Sequence, residues 1–278
     1  MKSRLFPYIL ITIFLSLLII SCEKRSVNPG TTDWDAVKSL ITQYPDIFAA
    51  DVFGTESDTL FYREITSRNA DIEIGNQHEA DSSHMFEYIT VIWGDSLKGT
   101  FHYRLDGTSY QKPITSIALT NAYFEKWGEN RDPYRGWILK QVSGTVTNSV
   151  GTTRNLSLNI ISEDLDVFLS EPYLLQLVKK DSTLVFKPGK QVTFTIDVPE
   201  ADTSDFFYLH IKEDSTTKTI PFTNNGDETL TASWTTTTDP GALSGYKHAI
   251  IDDINRESVT DTTYKYDSKA WGILYRIK

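Results

Sequence analysis

The sequence has little cysteine and less basic than acidic charge, and each scarcity excludes a class of protein. One cysteine among 278 residues excludes a disulfide framework and any zinc site made of cysteines alone. With 27 Lys and Arg against 37 Asp and Glu, the net charge of −10 disfavours nucleic-acid binding, which depends on clustered basic side chains. Aromatic residues make up 12% of the chain, which is too many for a disordered polymer.

The common catalytic and ion-binding motifs are also missing. Gly189-Lys190 lacks the upstream glycine and the following Ser or Thr of a phosphate-binding loop. Ser244, between Leu243 and Gly245, stands one position away from the spacing of a nucleophile elbow. The sequence contains no HExxH pair and no EF-hand loop. We therefore assign no catalytic, cofactor-binding or metal-binding residue and expect no cofactor.

The first residues have the pattern of a secretory signal. The basic residues Lys2 and Arg4 precede an apolar run from Leu5 to Ile20, which is shorter than the roughly 20 residues of a spanning helix. The alternative is a plain amino-terminal membrane helix. Pro7 and two hydroxyl residues weaken that alternative, and the chain's one cysteine, Cys22, stands where the run stops.

The residues Ile19-Ile20-Ser21-Cys22 resemble the lipobox of bacterial lipoproteins. The resemblance implies that the bond between Ser21 and Cys22 is cut, that the Cys22 sulfur receives a diacylglycerol, and that the new amino terminus is acylated. It also implies a lipid-anchored protein of the bacterial cell envelope, on the periplasmic or the outer-membrane face. Its membrane partner would be bound through diacylglyceryl-Cys22, because two acyl chains anchor a protein stably where one does not.

The chain is predicted to consist of five parts. A signal peptide covers residues 1–21, and a lipidated tether covers residues 22–30, a polar stretch that reaches about 25–30 Å when extended. An α+β domain follows over residues 31–150, a connecting segment over 151–180, and an all-β domain over 181–278. Loss of Lys2 and Arg4 with the signal peptide leaves 25 basic and 37 acidic side chains, so the mature body is acidic.

The α+β domain is predicted to carry one helix on a curved antiparallel sheet. Trp34, Val37 and Leu40 recur at helical spacing, Thr32 caps the start, and Pro45 ends the helix, which we place from Asp33 to Gln43. The strand candidates are rich in aromatic and β-branched residues, and they cover 59–66, 85–93, 99–105, 113–127 and 134–145. This order of elements resembles the cystatin or NTF2-like class of helix-on-sheet folds.

The last part, residues 181–278, is predicted to be an antiparallel β-sandwich of seven short strands separated by turns such as Asn225-Gly226. Gly245-Tyr246-Lys247-His248 resembles the tyrosine corner of immunoglobulin-like and fibronectin-type modules. That resemblance implies that the Tyr246 hydroxyl binds nearby backbone and that Trp234 or Trp271 fills the core.

Several polar groups could bind ligands, although a simpler interpretation exists for each. His78, Glu79, Asp81 and His84 lie within seven residues and could ligate a divalent ion, or they form a polar loop. His102 and Arg104 share one strand face that could hold an anion. The pair Asp252-Asp253 and the segment 224–228 could bind calcium, although Asn225-Gly226 is first a hairpin turn. An exposed row of aromatic rings could bind sugars.

These features favour a lipid-anchored, non-catalytic envelope protein with a binding or structural role and a protein or glycan partner. One alternative is an envelope carbohydrate-binding protein or hydrolase. Another is a small-ligand carrier that uses residues 31–150. A polar-lined cavity under the helix would favour the carrier, and an exposed aromatic row would favour the sugar binder.

Overall fold

The computed structural model describes residues 32–48, 61–152, 157–170, 173–198, 204–213, 216–239 and 245–278, with backbone alone at 71–75, 213 and 216. The predicted signal peptide, Ser21, Cys22 and the tether lie outside these ranges. The fold is mostly β, with about 60% of the described residues in strands and 13% in helices. It is a sandwich-like architecture whose main element is a large, curled antiparallel sheet.

The described residues form three short helices, α1 (Asp33–Ile41), α2 (Pro45–Phe48) and α3 (Arg256–Thr260). The prediction for α1 is confirmed, although the helix ends two residues earlier than expected. Its first turn is closed by a capping box, in which the Asp35 N–H donates to Thr32 Oγ1 at 3.1 Å and the Thr32 N–H donates to an Asp35 carboxylate oxygen at 3.2 Å.

The large sheet contains ten strands. Along its main path the order is β1, β2, β3, β4, β15, β14, β10, β11, while β7 pairs with β4 and β8 pairs with β15. The strands are β1 (Phe61–His78), β2 (Tyr88–Leu105), β3 (Thr108–Lys126), β4 (Trp137–Ser149), β7 (Val178–Lys179), β8 (Leu184–Phe186), β10 (Phe206–Glu213), β11 (Thr216–Pro221), β14 (Lys247–Ile254) and β15 (Ser268–Ile277).

The smaller sheet contains five strands in the order β12, β13, β9, β5, β6. They are β5 (Ser157–Ser162), β6 (Leu165–Ser170), β9 (Gln191–Asp197), β12 (Thr223–Asn224) and β13 (Thr229–Thr235). The two sheets pack together through the largest apolar cluster, in which Phe194, Trp234, Trp271 and Tyr275 are buried. Both tryptophans that the sequence suggested for a core are therefore core residues.

The predicted fold class, one helix on a sheet followed by a separate immunoglobulin-like sandwich, is wrong. The strands expected in the sandwich are divided between the sheets, because β9 and β13 join the smaller sheet while β10, β14 and β15 extend the larger one. Strand β15 pairs directly with β4, for example Trp271 with Val146. Tyr246 donates to the carbonyl of Lys180, 66 residues earlier, instead of to nearby backbone.

The boundaries near residues 150 and 180 stay predictions for the folding units, which limited proteolysis can test. Strands on both sides of residue 180 share the larger sheet. A cut there would therefore leave hydrogen-bonded partners on two fragments.

Two further apolar clusters pack against strands β2 and β3 of the large sheet. Under α1, Val37 and Ile41 pack against Phe124, Trp137 and other side chains of β2 to β4. At the opposite end of β1 and β2, Phe61 and Phe101 pack against Ile254, Val259 and Tyr266. The second cluster joins the first two strands of the sheet to β14 and α3, so the sheet curls until its distant strands meet.

Across the described ranges, every helix is too short or too polar to pass through a lipid bilayer.

Candidate functional site

Where the curled sheet closes, a buried charge network joins β1 to β14 and β10. We call Arg63, His210, Asp252 and Tyr266 the closure network. Arg63 donates two hydrogen bonds to the Asp252 carboxylate, at 2.7 and 2.9 Å, and a third from Nε to the Tyr266 hydroxyl at 2.7 Å. The Arg63 and Asp252 side chains are only 4% and 0% exposed.

The surroundings of this network stabilise the charged forms of both partners. The Arg63 guanidinium carbon lies 5.6–5.8 Å from the ring centroids of Phe61, Phe101 and Tyr266. Burial alone would raise the pKa of Asp252, but the charge of Arg63 and the hydrogen bonds from His210 and Arg63 outweigh it. The pKa of Asp252 is therefore lowered, and Asp252 stays ionised beside Arg63.

His210 extends the network toward Thr219 on β11. One ring nitrogen, Nε2, lies 3.2 Å from Asp252 Oδ2, and the other, Nδ1, lies 3.0 Å from Thr219 Oγ1. An acid, an imidazole and a hydroxyl in this order are the parts of a nucleophilic triad. Here, however, the imidazole is 0% exposed and the carboxylate already binds Arg63 in bidentate fashion. The arrangement therefore serves to hold β1, β10, β11 and β14 together.

A groove of about 670 Å³ opens at the other end of the sheet, between the β1–β2 connection and the β3–β4 connection. We call it the loop groove. Its volume lies within the roughly 300–1,000 Å³ of small-molecule sites. It is lined by Ala80, Met85, Phe86, Glu87, Lys126, Gly128, Glu129, Asn130 and Arg131.

The β3–β4 connection forms one wall of the groove and has an unusual backbone. Tyr134, Arg135 and Gly136 follow one another in the left-handed region, with φ of 50°, 54° and 79°. For side chains other than glycine this conformation costs about 1–3 kcal/mol, so the surrounding structure must hold it. A Cβ at Gly136 would lie 2.4 Å from the carbonyl carbon of Gly128, which explains the need for glycine.

An ion-pair cluster fastens this wall to α1. Asp33 accepts from Arg135 Nε at 2.5 Å, and Lys126 Nζ lies 3.1 Å from Asp33 Oδ2. Lys126 also lies 3.5 Å from a Glu87 carboxylate oxygen. Burial raises the pKa of Asp33, and the hydrogen bonds from Arg135 and Lys126 outweigh this effect and lower it. The Asp33 carboxylate thus links α1 to strand β3 and to the β3–β4 connection.

One aromatic ring that lines the groove, Phe86, packs on a second ring, Trp127, which lies beside the lining residues. Phe86 stacks on Trp127 with ring centroids 4.5 Å apart, and Trp127 still keeps 54% of its surface exposed. The Trp127 Nε1–H donates to Glu125 at 2.6 Å, and the Lys140 ammonium lies 3.9 Å from the indole centroid. These contacts hold the indole in one orientation while leaving much of it in contact with solvent.

The row of rings continues along the outer face of the sheet. Tyr88 lies 4.4 Å from His78, 4.5 Å from His84 and 5.3 Å from Tyr123, measured between centroids. Burial, followed by the charge and hydrogen bond of Glu125, raises the pKa of Tyr123 to about 12. Both histidines of the 78–84 segment therefore contact an aromatic ring, and the described part of the chain contains no cluster of three potential metal ligands.

The remaining sequence candidates occupy separate places. His102 stacks on Tyr62 at 4.4 Å and lies 3.4 Å from Glu64, while Arg104 is exposed on the same strand face. Asp252 belongs to the closure network, so it does not form a calcium loop with Asp253. Asn224 accepts from the Gly226 N–H at 2.8 Å, as in a turn, and Gly226 has a positive φ of 84°.

Sequence reasoning missed Arg63, His210 and Tyr266 and the pairing of Phe86 with Trp127. A signal for the closure network was present in the sequence. Arg63 lies between Phe61 and Ile65 on the same, otherwise apolar face of its strand, and Asp252 follows the apolar residues Ile250 and Ile251. The groove had no comparable signal, since its two walls come from the β1–β2 and β3–β4 connections, which are distant in the chain.

Comparison with protein-family models, with curated proteins and with solved structures found no match to this chain.

Proposed function

We propose that the mature protein is a lipid-anchored, non-catalytic binding protein of the bacterial cell envelope. The anchor is diacylglyceryl-Cys22, and residues 22–30 are the tether that lets the folded body stand clear of the lipid surface. Support for the anchor comes from the basic start, the apolar run and the Ile19–Cys22 lipobox pattern.

The loop groove is the proposed binding site, and it is the observation on which the binding role depends. Its wall is held in a strained backbone conformation, and such conformations cluster at functional sites. It also exposes the charged ends of Glu129 and Arg131, which are 70% and 82% exposed and lie 3.0 Å apart.

Two other functions have less support. A hydrolase would need an accessible nucleophile and base, whereas the Thr219–His210–Asp252 arrangement has a buried imidazole. A carrier that uses the space beneath α1 would need room there, and that space is occupied by Ile89, Val91 and Phe124, each 0–1% exposed.

Metabolic labelling tests the anchor. Cells that express the full chain are grown with an alkyne fatty acid, and the purified protein is checked for label and for its mature amino terminus by mass spectrometry. We expect label on the wild type, with the chain beginning at a modified Cys22. Cys22→Ala should remove the label and leave an uncut leader, while Ser26→Ala in the tether serves as the matched control. Label that persists in Cys22→Ala would refute the lipid anchor.

A further inference from the structure

We propose that Lys269 and Asn148 form an amide crosslink within the chain, between strands β15 and β4, with Asp253 of β14 as the proton acceptor. The three side chains lie in one row across neighbouring strands of the large sheet. Lys269 pairs with Asn148 on one side and with Asp253 on the other. None of the three lines the loop groove, so the crosslink and the proposed binding role can be tested separately.

The register brings the reacting groups within reach of each other. Residues directly opposite on antiparallel strands point to the same face, and their Cβ atoms lie about 4.5–5.5 Å apart. The long, flexible stem of a lysine can carry its Nζ atom across that distance to either neighbour. The Lys269 amine can therefore reach the side-chain amide carbon of Asn148 while the strand pairing stays as it is.

The row borders the largest apolar cluster and is shielded from water. Lys269 is 5% exposed and Asp253 is 1% exposed. Two positions further along the strands lie Val146, Trp271 and Ile251, all of which belong to that cluster. The Lys269 ammonium lies 5.6 Å from the Trp271 ring centroid, so the lysine extends along the core instead of into solvent.

The Asn148 side chain provides an independent observation. The residue is half-buried, and its Oδ1 atom is buried without a hydrogen-bond partner among the residues that the structure describes. Buried polar atoms are nearly always hydrogen-bonded, so this amide oxygen needs an explanation. An ion pair between Lys269 and Asp253 would not provide one. A site for reaction at the Asn148 amide does.

The reaction balances with these three side chains alone. Asp253 accepts one proton from the Lys269 ammonium, which leaves a neutral amine as the nucleophile. The bond between Lys269 Nζ and Asn148 Cγ forms, the bond between Cγ and Nδ2 breaks, and Nδ2 leaves as ammonia with one of the protons that remained on Nζ. The ammonia then takes the proton held by Asp253, so one ammonium ion is released and Asp253 is ionised again. Exclusion of water removes the competing hydrolysis of the amide.

The crosslink would have the effect that a disulfide has in other proteins. It closes the chain between residues 148 and 269 into a loop that persists after unfolding, which lowers the entropy of the unfolded state. It also fixes the pairing of β4 with β15, through which the early strands of the large sheet connect to the late ones.

Tryptic digestion of the purified full chain, followed by mass spectrometry, tests the bond. Without the bond, trypsin cuts after Lys269 and releases residues 141–154, 266–269 and 270–276 as three peptides. We expect instead that Lys269 resists trypsin and that 141–154 is joined to 266–276, at the sum of the two masses minus one ammonia of about 17 Da. A wild-type chain that yields only the three separate peptides would overturn the proposal.

Three variants assign the roles of the side chains. Lys269→Met keeps the apolar stem without the amine, and Asp253→Asn keeps the shape without the proton acceptor, so both should abolish the joined peptide. Lys247→Met changes another lysine of the β14–β15 pair and should retain it. A joined peptide that persists in Asp253→Asn would overturn the role of Asp253, and one that persists in Lys269→Met would overturn the assignment to Lys269. The wild-type peptides decide whether the bond exists, so the proposal stays testable if a variant fails to fold.

Discussion

Two arginine–carboxylate pairs lie at opposite ends of the large sheet. At the closure network, Arg63 and Asp252 are 4% and 0% exposed, whereas Arg131 and Glu129 at the loop groove are 82% and 70% exposed. The chemical groups are the same, but their surroundings differ. A buried pair depends on every partner being present, while an exposed pair is screened by water and stays available to a ligand.

Removing one buried partner should have the largest effect. Arg63→Met leaves Asp252 as an uncompensated charge in the core, and we expect a loss of about 3–5 kcal/mol in the free energy of unfolding. Urea denaturation followed by circular dichroism measures it. Arg68→Met, an exposed arginine on the same strand, is the control and should change stability by less than about 0.5 kcal/mol.

The double variant Arg63→Met/Asp252→Leu sharpens this result. It removes both charges, so it should be more stable than Arg63→Met alone. If the double variant were the less stable of the two, the cost would come from lost packing instead of from an unpaired charge.

Acid should lower the free energy of unfolding through the closure network, by a smaller amount than the loss of Arg63 does. The pKa of Asp252 is lower in the folded than in the unfolded chain, so the unfolded state takes up the proton first as the pH falls. The stabilisation is complete above the unfolded value of about 3.9, and it is lost as the pH falls through the lower folded value. Asp33, whose pKa is also lowered, adds to this loss of stability as the pH falls.

Urea unfolding between about pH 5 and pH 2 measures this slope. The wild type should lose more stability on acidification than Arg63→Met/Asp252→Leu, which retains Asp33 but lacks Asp252. Equal losses in the two proteins would show that the closure network does not contribute to acid sensitivity.

The sequence predicted local structure well and long-range pairing poorly. The Thr32 cap and the apolar stripe of α1 are local patterns, and both are present in the structure. Alternation also predicted that His102 and Arg104 share one strand face, and in the structure both are less buried than Phe101 and Tyr103 on the other face. By contrast, the separate strand candidates 85–93 and 99–105 are parts of one continuous strand, β2, because pairing with β1 and β3 on both sides outweighs the local turn preference between them.

The pairing of β15 with β4 explains why the fold class was mispredicted. Periodicity shows which residues of a strand face a core, but it does not show which strand lies alongside. The loop groove was missed for a related reason, since Phe86 and Trp127 meet only after β2 and β3 have paired. The role of Cys22 stays a prediction from a local motif.

The smallest expected effect compares two glycines of the same backbone conformation. Gly136 and Gly107 both have φ of 79°, but a Cβ at Gly107 would meet nothing within 4 Å, whereas a Cβ at Gly136 would collide with the backbone of Gly128. Gly107→Ala should therefore cost about 1–2 kcal/mol for the left-handed backbone alone. Gly136→Ala should cost more, up to about 3 kcal/mol, because the loop must also shift.

The two glycine variants should also differ in which tryptophan signals they move, and this difference separates a local change at the loop groove from a general change in the sheet. Nuclear magnetic resonance of the indole N–H groups, with the Trp127 signal assigned through Trp127→Phe, reports on the groove. Gly136→Ala should move the Trp127 indole signal, because the backbone N–H of Trp127 donates to the Gly136 carbonyl and a shift of the loop there would displace the ring. The Trp271 signal from the buried core should stay in place, as should both signals in Gly107→Ala. A Trp127 signal that Gly136→Ala leaves unmoved would mean that the strained backbone does not position the ring, and the loop would then be a structural turn instead of a wall built for binding.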